Sequence, residues 1–379
     1  MANVLTDLAA DIYKAADIVG REAVGFIPSV TINAGSEEAA QGDTVRSHAT
    51  RAATVNTSAT PSMTIPEGDD QTVDNKTMTI DQIASVRIPW TGEDIKHVNN
   101  GAGFETIYGD QIKQAFRAIA NNIESTLATA AYKGASRAVG SAGTTPFASN
   151  FNTVAEVRQI LVDNGCPTDN QITLVLNSAA GTKLRNLAQL QKANESGGTD
   201  LLRQGTLLDL QGLMIKESAG VASHTKGTGT SYQLSAAGSV GDTTINVDTG
   251  SGTLLAGDCV TFAGTSDIYV ANSALSGGSF TIGAPGLRYA EADNDAITIG
   301  NSYTANVAFH RTAVELGIRP PALPAGGDAA VDIMTVQDPY SGLVFEIAVY
   351  KGYMKTMIEV RALYGVKVWK PNHVALLLG

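Results

Sequence analysis

The chain has 379 residues, 43% hydrophobic and only 17% charged, with 39 glycines and a net charge of −11. That length predicts more than one domain and a sizeable core, and the acidic, charge-poor balance excludes a protein that grips nucleic acid through clustered lysines and arginines. Cys166 and Cys259 give neither a C-x-x-C zinc spacing nor a disulfide framework, no apolar run is long enough for a membrane span, and the first twenty residues lack the basic start and unbroken apolar stretch of a secretory signal.

Leu5, Leu8, Ala9, Ile12, Ala16 and Val19 recur at helical spacing, which predicts a short amphipathic helix closed off at Gly25 and Pro28. Residues 37 to 90 are rich in Thr, Ser, Ala and Val and alternate at Thr77–Ile80 and Ala84–Ile88, the spacing of strands. Pro61 to Asp70 lies between, with an acidic tip at Glu67, Asp69 and Asp70. A long polar two-stranded arm buries little of its own surface, so it is expected to lie on something else. Between residues 101 and 137, Phe104, Tyr108, Ile112, Phe116, Ile119, Ile123 and Leu127 form one stripe, with Lys113, Arg117, Asn121 and Glu124 off it. This predicts a long helix lying on a sheet. Thr153–Val162 reads as a helix, Ile172–Leu176 as a buried strand, and Ser178 to Lys192 as a further helix. The class is α+β.

The texture changes near Ser223. Residues 227–300 hold 13 of the 39 glycines and read as short strands at Thr244–Val247, Cys259–Phe262, Ile268–Val270, Phe280–Ile282 and Ile297–Ile299. Strands at this spacing with Gly turns indicate a small all-β barrel or sandwich inserted into a host domain. Beyond it, Ala308–Leu316 reads as helical, and Leu343–Tyr350, Lys355–Arg361 and Val366–Trp369 read as three closing strands.

Constellations for chemistry are sparse. His48, His97, His224, His310 and His373 show no metal-ligand spacing, and there is no phosphate loop or nucleophile elbow. Ser223–Lys226 matches S-x-x-K in a Gly-rich junction rather than on the helix such a nucleophile needs, so it reads as a linker. Glu291, Asp293 and Asp295 make an acidic turn, read as solvated rather than as a calcium loop. No catalytic residue, cofactor site or metal site is expected, and the chain is not read as an enzyme.

Several phrases, in order, resemble the major capsid proteins of tailed bacteriophages: Gly134–Arg137, Thr144–Phe147, Asn177–Ala180, Ala305–Arg311, Arg319–Pro324 and Leu363–Pro371. The chain is most similar to the coat proteins of short-tailed enteric phages, with the Hong Kong 97 capsid fold and an inserted β-barrel. The resemblance implies an N-terminal arm (1–36), an extended loop (37–95) and a peripheral domain with a spine helix (96–150). It further implies an axial domain in two parts (151–226 and 301–327), the inserted barrel (227–300) and peripheral C-terminal strands (328–379). It implies copies in pentamers and hexamers that enclose DNA without specific binding, and a scaffolded procapsid that matures. Implied partners are a separate scaffolding protein, a portal protein at one vertex and a decoration protein, with no membrane. The shell would assemble in the host cytoplasm and end as the virion capsid. An encapsulin-like compartment shell is the alternative, and a hydrolase or carbohydrate-binding protein using the β insert is the alternative of another class.

Charge partition suggests how copies meet. Residues 37–90 hold eight acidic and four basic side chains, whereas 351–371 hold five basic and one acidic. An acidic arm and a basic sheet in one chain suit a repeated heterologous contact. The contact candidates are Glu67, Asp69, Asp70, Arg46, Arg51, Arg361, Lys367 and Lys370. The segment 227–300 carries seven acids and one base and is expected to face outward, away from DNA.

Overall fold

The computed structural model describes residues 25–35, 37–49, 61, 63–65, 74–99, 104–192, 207, 209–337 and 341–379. The predicted helix between Leu5 and Val19 lies outside them. A 3-10 turn at Ile27–Ser29 leads into β1 (Thr31–Ala34). Strands β2 (Thr44–Ala49) and β3 (Asp74–Thr79) pair antiparallel as an arm, and β4 (Gln82–Thr91) follows. Next come α1 (Gly92–Asn99), α2 (Phe104–Lys133), β5 (Arg137–Val139), α3 (Asn152–Asp163), β6 (Ile172–Leu176), α4 (Ser178–Arg185), α5 (Ala188–Gln191), β7 (Met214–Glu217) and β8 (Ser223–His224). The Gly-rich segment supplies β9 (Tyr232–Leu234), β10 (Thr244–Asp248), β11 (Cys259–Phe262), β12 (Ile268–Val270), β13 (Ser279–Thr281) and β14 (Ala296–Ile299). The chain closes with β15 (Tyr303–His310), β16 (Val314–Arg319), β17 (Ala330–Gln337), β18 (Val344–Gly352), β19 (Lys355–Val368) and β20 (Val374–Leu378).

Two sheets organise these strands. A six-stranded sheet runs β1-β16-β19-β18-β17, with β4 paired to β19 on its other side. A twelve-stranded sheet runs β13-β10-β9-β14-β11-β12-β5-β20-β15-β6-β7, with β8 on β15. Strand outweighs helix, 39% against 21%, so the molecule leans further to β than an α+β reading suggests.

The spine helix is the anticipated one. Tyr108, Ile112, Phe116, Ile119, Ile123 and Leu127 are buried, packed in one core with Phe345, Ile347, Val360 and Tyr364 of β18 and β19. Phe116 meets Phe345 edge-on, with centroids 5.0 Å apart. Each such side chain contributes about 1.5–3 kcal/mol. Tyr364 adds a polar tie across the layers through Asn122 and Thr126. A second core joins α3 and α4 to β6, β15 and β20 around Leu161, Leu174, Leu176, Leu184 and Leu377.

The structure corrects four local readings. Ala308–Leu316 is no helix: it is the end of β15, a 3-10 turn at Arg311–Ala313, and the start of β16. These strands are buried on both faces, so their apolar run has no period to distinguish strand from helix. Lys355–Arg361 and Val366–Trp369 are not separate strands, because β19 runs unbroken through Gly365. Glycine is needed there for room: a methyl group at Gly365 would collide with the carbonyl oxygen of Thr79, and one at the facing Gly317 with the Met78 side chain, where the root of the β2–β3 arm crosses the sheet. Ser178 to Lys192 divides into α4 and α5 at Asn186. Glu124, expected off the apolar stripe, is buried. Ala128 and Ala131 are buried beside it, so small residues widen the covered arc beyond the large ones.

The strands of 227–300 fall close to the predicted positions. Their order β13-β10-β9-β14-β11-β12 returns on itself through a bridge between Ala271 and Ile282. Inside lie Tyr232, Leu234, Phe262, Tyr269, Phe280 and Ile297, a core separate from the other two. The segment also joins its host, since β12 pairs with β5.

Candidate inter-subunit surface

One face of the β17-β18-β19-β4 sheet receives α2; the other carries charge. On that outer face Arg361 donates from Nε to Glu346 Oε1 (2.6 Å) and from Nη1 to the Tyr350 hydroxyl (3.2 Å), and Tyr350 donates to Asp328. Arg87 of β4 donates to Glu359 of β19 (2.9 Å). Burial works against the Arg361 charge, but Glu346 holds its pKa above the ordinary value. The Tyr350 hydroxyl is pushed up to about 12 by burial and by the neighbouring Asp328, and its hydrogen bond holds Asp328 below the usual carboxylate range. Arg361, one of the contact candidates, is therefore engaged by Glu346 and Tyr350 of its own chain.

The other candidates divide as follows. Arg46 lies exposed on β2 opposite Thr77. Lys367, opposite Glu315, and Lys370 are exposed on and just beyond β19. Arg51, Glu67, Asp69 and Asp70 lie outside the described residues. Met63 and Ile65, which precede those acids in the sequence, are almost fully exposed.

Sequence reasoning missed a basic cleft at the end of β18 and β19. Its volume is about 450 Å³, and Lys96, Lys351 and Lys355 line it with Trp90, Met354 and a single acid, Glu93. The turn between the strands holds Tyr353 and Met354 out in solvent, with Met354 in the left-handed region at φ 53°. Lys96 is far in sequence from the two turn lysines, so only the fold shows that they share a cleft.

Two buried carboxylates also escaped notice. Glu124 accepts from the backbone N–H of Gly25 (2.6 Å), Phe26 (2.8 Å) and Ile27 (2.9 Å) and from Ser218 Oγ (2.6 Å), fixing the point where the N-terminal segment joins the body. Asp258 accepts from the backbone N–H groups of Gly227 and Leu255 and bonds His224 Nε2 at 2.8 Å, where 227–300 leaves its host. The Ser223–Lys226 junction thus has a packing role for His224, while Lys226 is exposed and reaches Asn301. In the acidic turn Glu291 is buried, its pKa raised by burial and by Asp295 and Asp267, and Asp295 caps the turn through the Ala292 N–H. Among the described residues no group of three His, Cys, Asp or Glu side chains is arranged to hold a metal, and no helix is long and apolar enough to cross a membrane.

No family model matches the sequence, and no curated protein does. Solved structures do match. The capsid structure of the cyanophage P-SCSP1u superposes with a TM-score of 0.51 at 11% identity, covering 92% of this chain and 86% of that one. The chain has a phage-capsid fold. A structure from Mycobacterium phage Che8 aligns over 89% of this chain and 85% of its own, at 17% identity and a TM-score of 0.49.

Proposed function

We propose that the chain is a major capsid protein of a tailed phage, many copies of which close into an icosahedral shell around double-stranded DNA. The observation that supports this is the capsid fold, matched over 92% of the chain. Pentamers and hexamers would be the capsomers. A scaffolding protein, a portal and a decoration protein would be its partners, with a procapsid that matures. The domain boundaries of the capsid resemblance are proposed with it. Residues 227–300 are read as a small inserted barrel, supported by their ring of strand pairings and separate core. Their acidity favours the outer side of the shell.

The contact we propose brings Glu67, Asp69 and Asp70 of one copy to basic residues of the next. Lys96, Lys351, Lys355, Lys367 and Lys370 are the receiving positions, Arg361 being occupied by Glu346. An exposed ion pair is worth about 0–1 kcal/mol, and repetition around a shell multiplies it. Electron microscopy of the purified protein, with and without a co-expressed scaffold, tests the function. Closed shells that package DNA are expected; empty cargo compartments point to an encapsulin-like shell, and a dispersed monomer overturns the reading. Reversing all three acids to Lys should abolish shells while leaving a folded monomer, and normal shells from that variant would remove the contact.

A further inference from the structure

Two strands of the six-stranded sheet, β4 and β17, each keep one side unpaired among the described residues. The register tells which backbone groups face out there. The Gly92 N–H donates to the Met354 carbonyl (3.4 Å), one step beyond the pairing of Thr91 with Lys355. In an antiparallel ladder, pairs that exchange both bonds alternate with pairs that exchange none. The even-numbered residues of β4 therefore bond β19, and the N–H and C=O groups of Ile83, Ser85 and Arg87 point away from the sheet. Carrying the same alternation across β19 and β18 leaves the groups of Ile333, Thr335 and Gln337 pointing outward from β17.

The two edges fit each other in one register. β4 and β17 run antiparallel within the sheet, since each step from β4 through β19 and β18 to β17 is antiparallel. Setting Ser85 opposite Thr335 puts Ile83 opposite Gln337, Arg87 opposite Ile333, and Pro89 opposite Val331. Pro89 is the outward position with no N–H to give. On β17 the ladder slips between Ala330 and Asp332, and Val331 has no partner in it. The residue without a donor thus meets the residue already out of step. Beside the β4 edge, toward α2, runs a groove of about 510 Å³. Val86, Ile88 and Ala115 line it with the polar Arg87, Asp110 and Gln114, and Asp110 is paired with Lys113 (3.0 Å). In this register the half-buried Met334, on the helix side of β17, comes opposite Val86.

We propose that the β17 edge of one copy adds to the β4 edge of a second copy, so that the six-stranded sheet runs on from subunit to subunit. Main-chain hydrogen bonds supply the attraction, as in other cases of strand addition. Charge selects the partner edge. Arg87 is the sole charged residue of β4 and Asp332 the sole charged residue of β17, and both are exposed. Joining β4 to β4, or β17 to β17, would bring like charges to one joint, whereas β4 to β17 brings opposite ones. Because the two edges differ, the joint is heterologous and can repeat around a ring. Pro89 and the slip at Val331 end the pairable run, which limits how far an open edge can recruit wrong strands. The inference rests on the reading that copies of this chain assemble, and it adds a backbone joint to the contact of the acidic tip.

Cross-linking of the full chain tests the joint. Ser85 and Thr335 are both exposed, and the natural cysteines, Cys166 and Cys259, are buried. The double variant Ser85→Cys with Thr335→Cys, oxidised after assembly, should give a ladder of covalent oligomers beyond the dimer, and neither single variant should. No ladder from the double variant overturns the proposal, as do equal dimers from Ser85→Cys alone, which would mean β4 meeting β4. Hydrogen exchange on the natural chain gives a second reading that needs no variant to fold. The amides of Ser85, Arg87 and Thr335 should exchange at least tenfold more slowly in shells than in the monomer. Shells in which they exchange as fast as in the monomer remove this joint and leave the shell reading standing; a chain that never associates removes both. Ser85→Pro takes away an outward N–H that β19 does not use, so the monomer should keep its urea midpoint while the yield of shells falls at least tenfold. A folded Ser85→Pro that assembles in full yield also overturns the proposal.

Discussion

The spine-helix region and the segment 227–300 solve the same problem with different material. The first lays large side chains on one helix, from Tyr108 to Leu127, against the broad sheet of β4, β16, β18 and β19. The second has 13 glycines, no helix, and a separate core of twelve buried hydrophobic residues drawn from short strands and the turns between them. A long helix brings its apolar residues together by local geometry alone. Short strands do so only when every turn closes in register, and their polar alternate positions are left to solvent. Thus the host carries most of the buried hydrophobic residues, and 227–300 depends on its turns and on the carboxylate at its root.

Cutting a core in each region tests this directly. Phe116→Ala should cost about 3–5 kcal/mol and lower the urea midpoint of the whole host. Phe280→Ala should cost a comparable amount, but exchange and proteolysis should report loss only within 227–300. A single cooperative loss from Phe280→Ala would show that the pairing of β12 with β5 fuses the two cores into one. The anchors come next. Glu124→Ala leaves three N–H groups and a serine hydroxyl buried without their acceptor, so about 3 kcal/mol should be lost, with new protease cleavage near Gly25. Asp258→Ala should remove about 2 kcal/mol and loosen 227–300 first, measured as exchange at Gly227 and Leu255. Tyr364→Phe, which removes a tie between helix and sheet, should lose about 1 kcal/mol by urea titration. Arg87→Ala, on a largely exposed side chain, should change stability by less than about 1 kcal/mol.

What could be read from the sequence followed the same division. The stripe Tyr108–Leu127 announces both a helix and its buried face, and Gly-bounded runs such as Cys259–Phe262 announce strands. Ala308–Leu316 reads as helical because a strand buried on both faces has no alternation. Glu124 reads as exposed because alanines, too small to count as a stripe, still widen a buried face. The surface was least legible. Arg361 looks like a free base until Glu346, fifteen residues away, is found at its guanidinium. The cleft of Lys96, Lys351 and Lys355 exists only once β4 lies beside β19. Charge counts along the chain locate polarity but not pairing, since pairing is a property of register.

The paired glycines at 317 and 365 have a consequence for how copies could meet. They open a slot across two strands, and the Met78 side chain and the Thr79–Ile80 backbone occupy it. The root of the arm is thereby clamped onto the sheet by contacts internal to the molecule. Its initial heading is set before any neighbour arrives, so a partner need only catch an arm already aimed and has less orientational freedom to remove on docking.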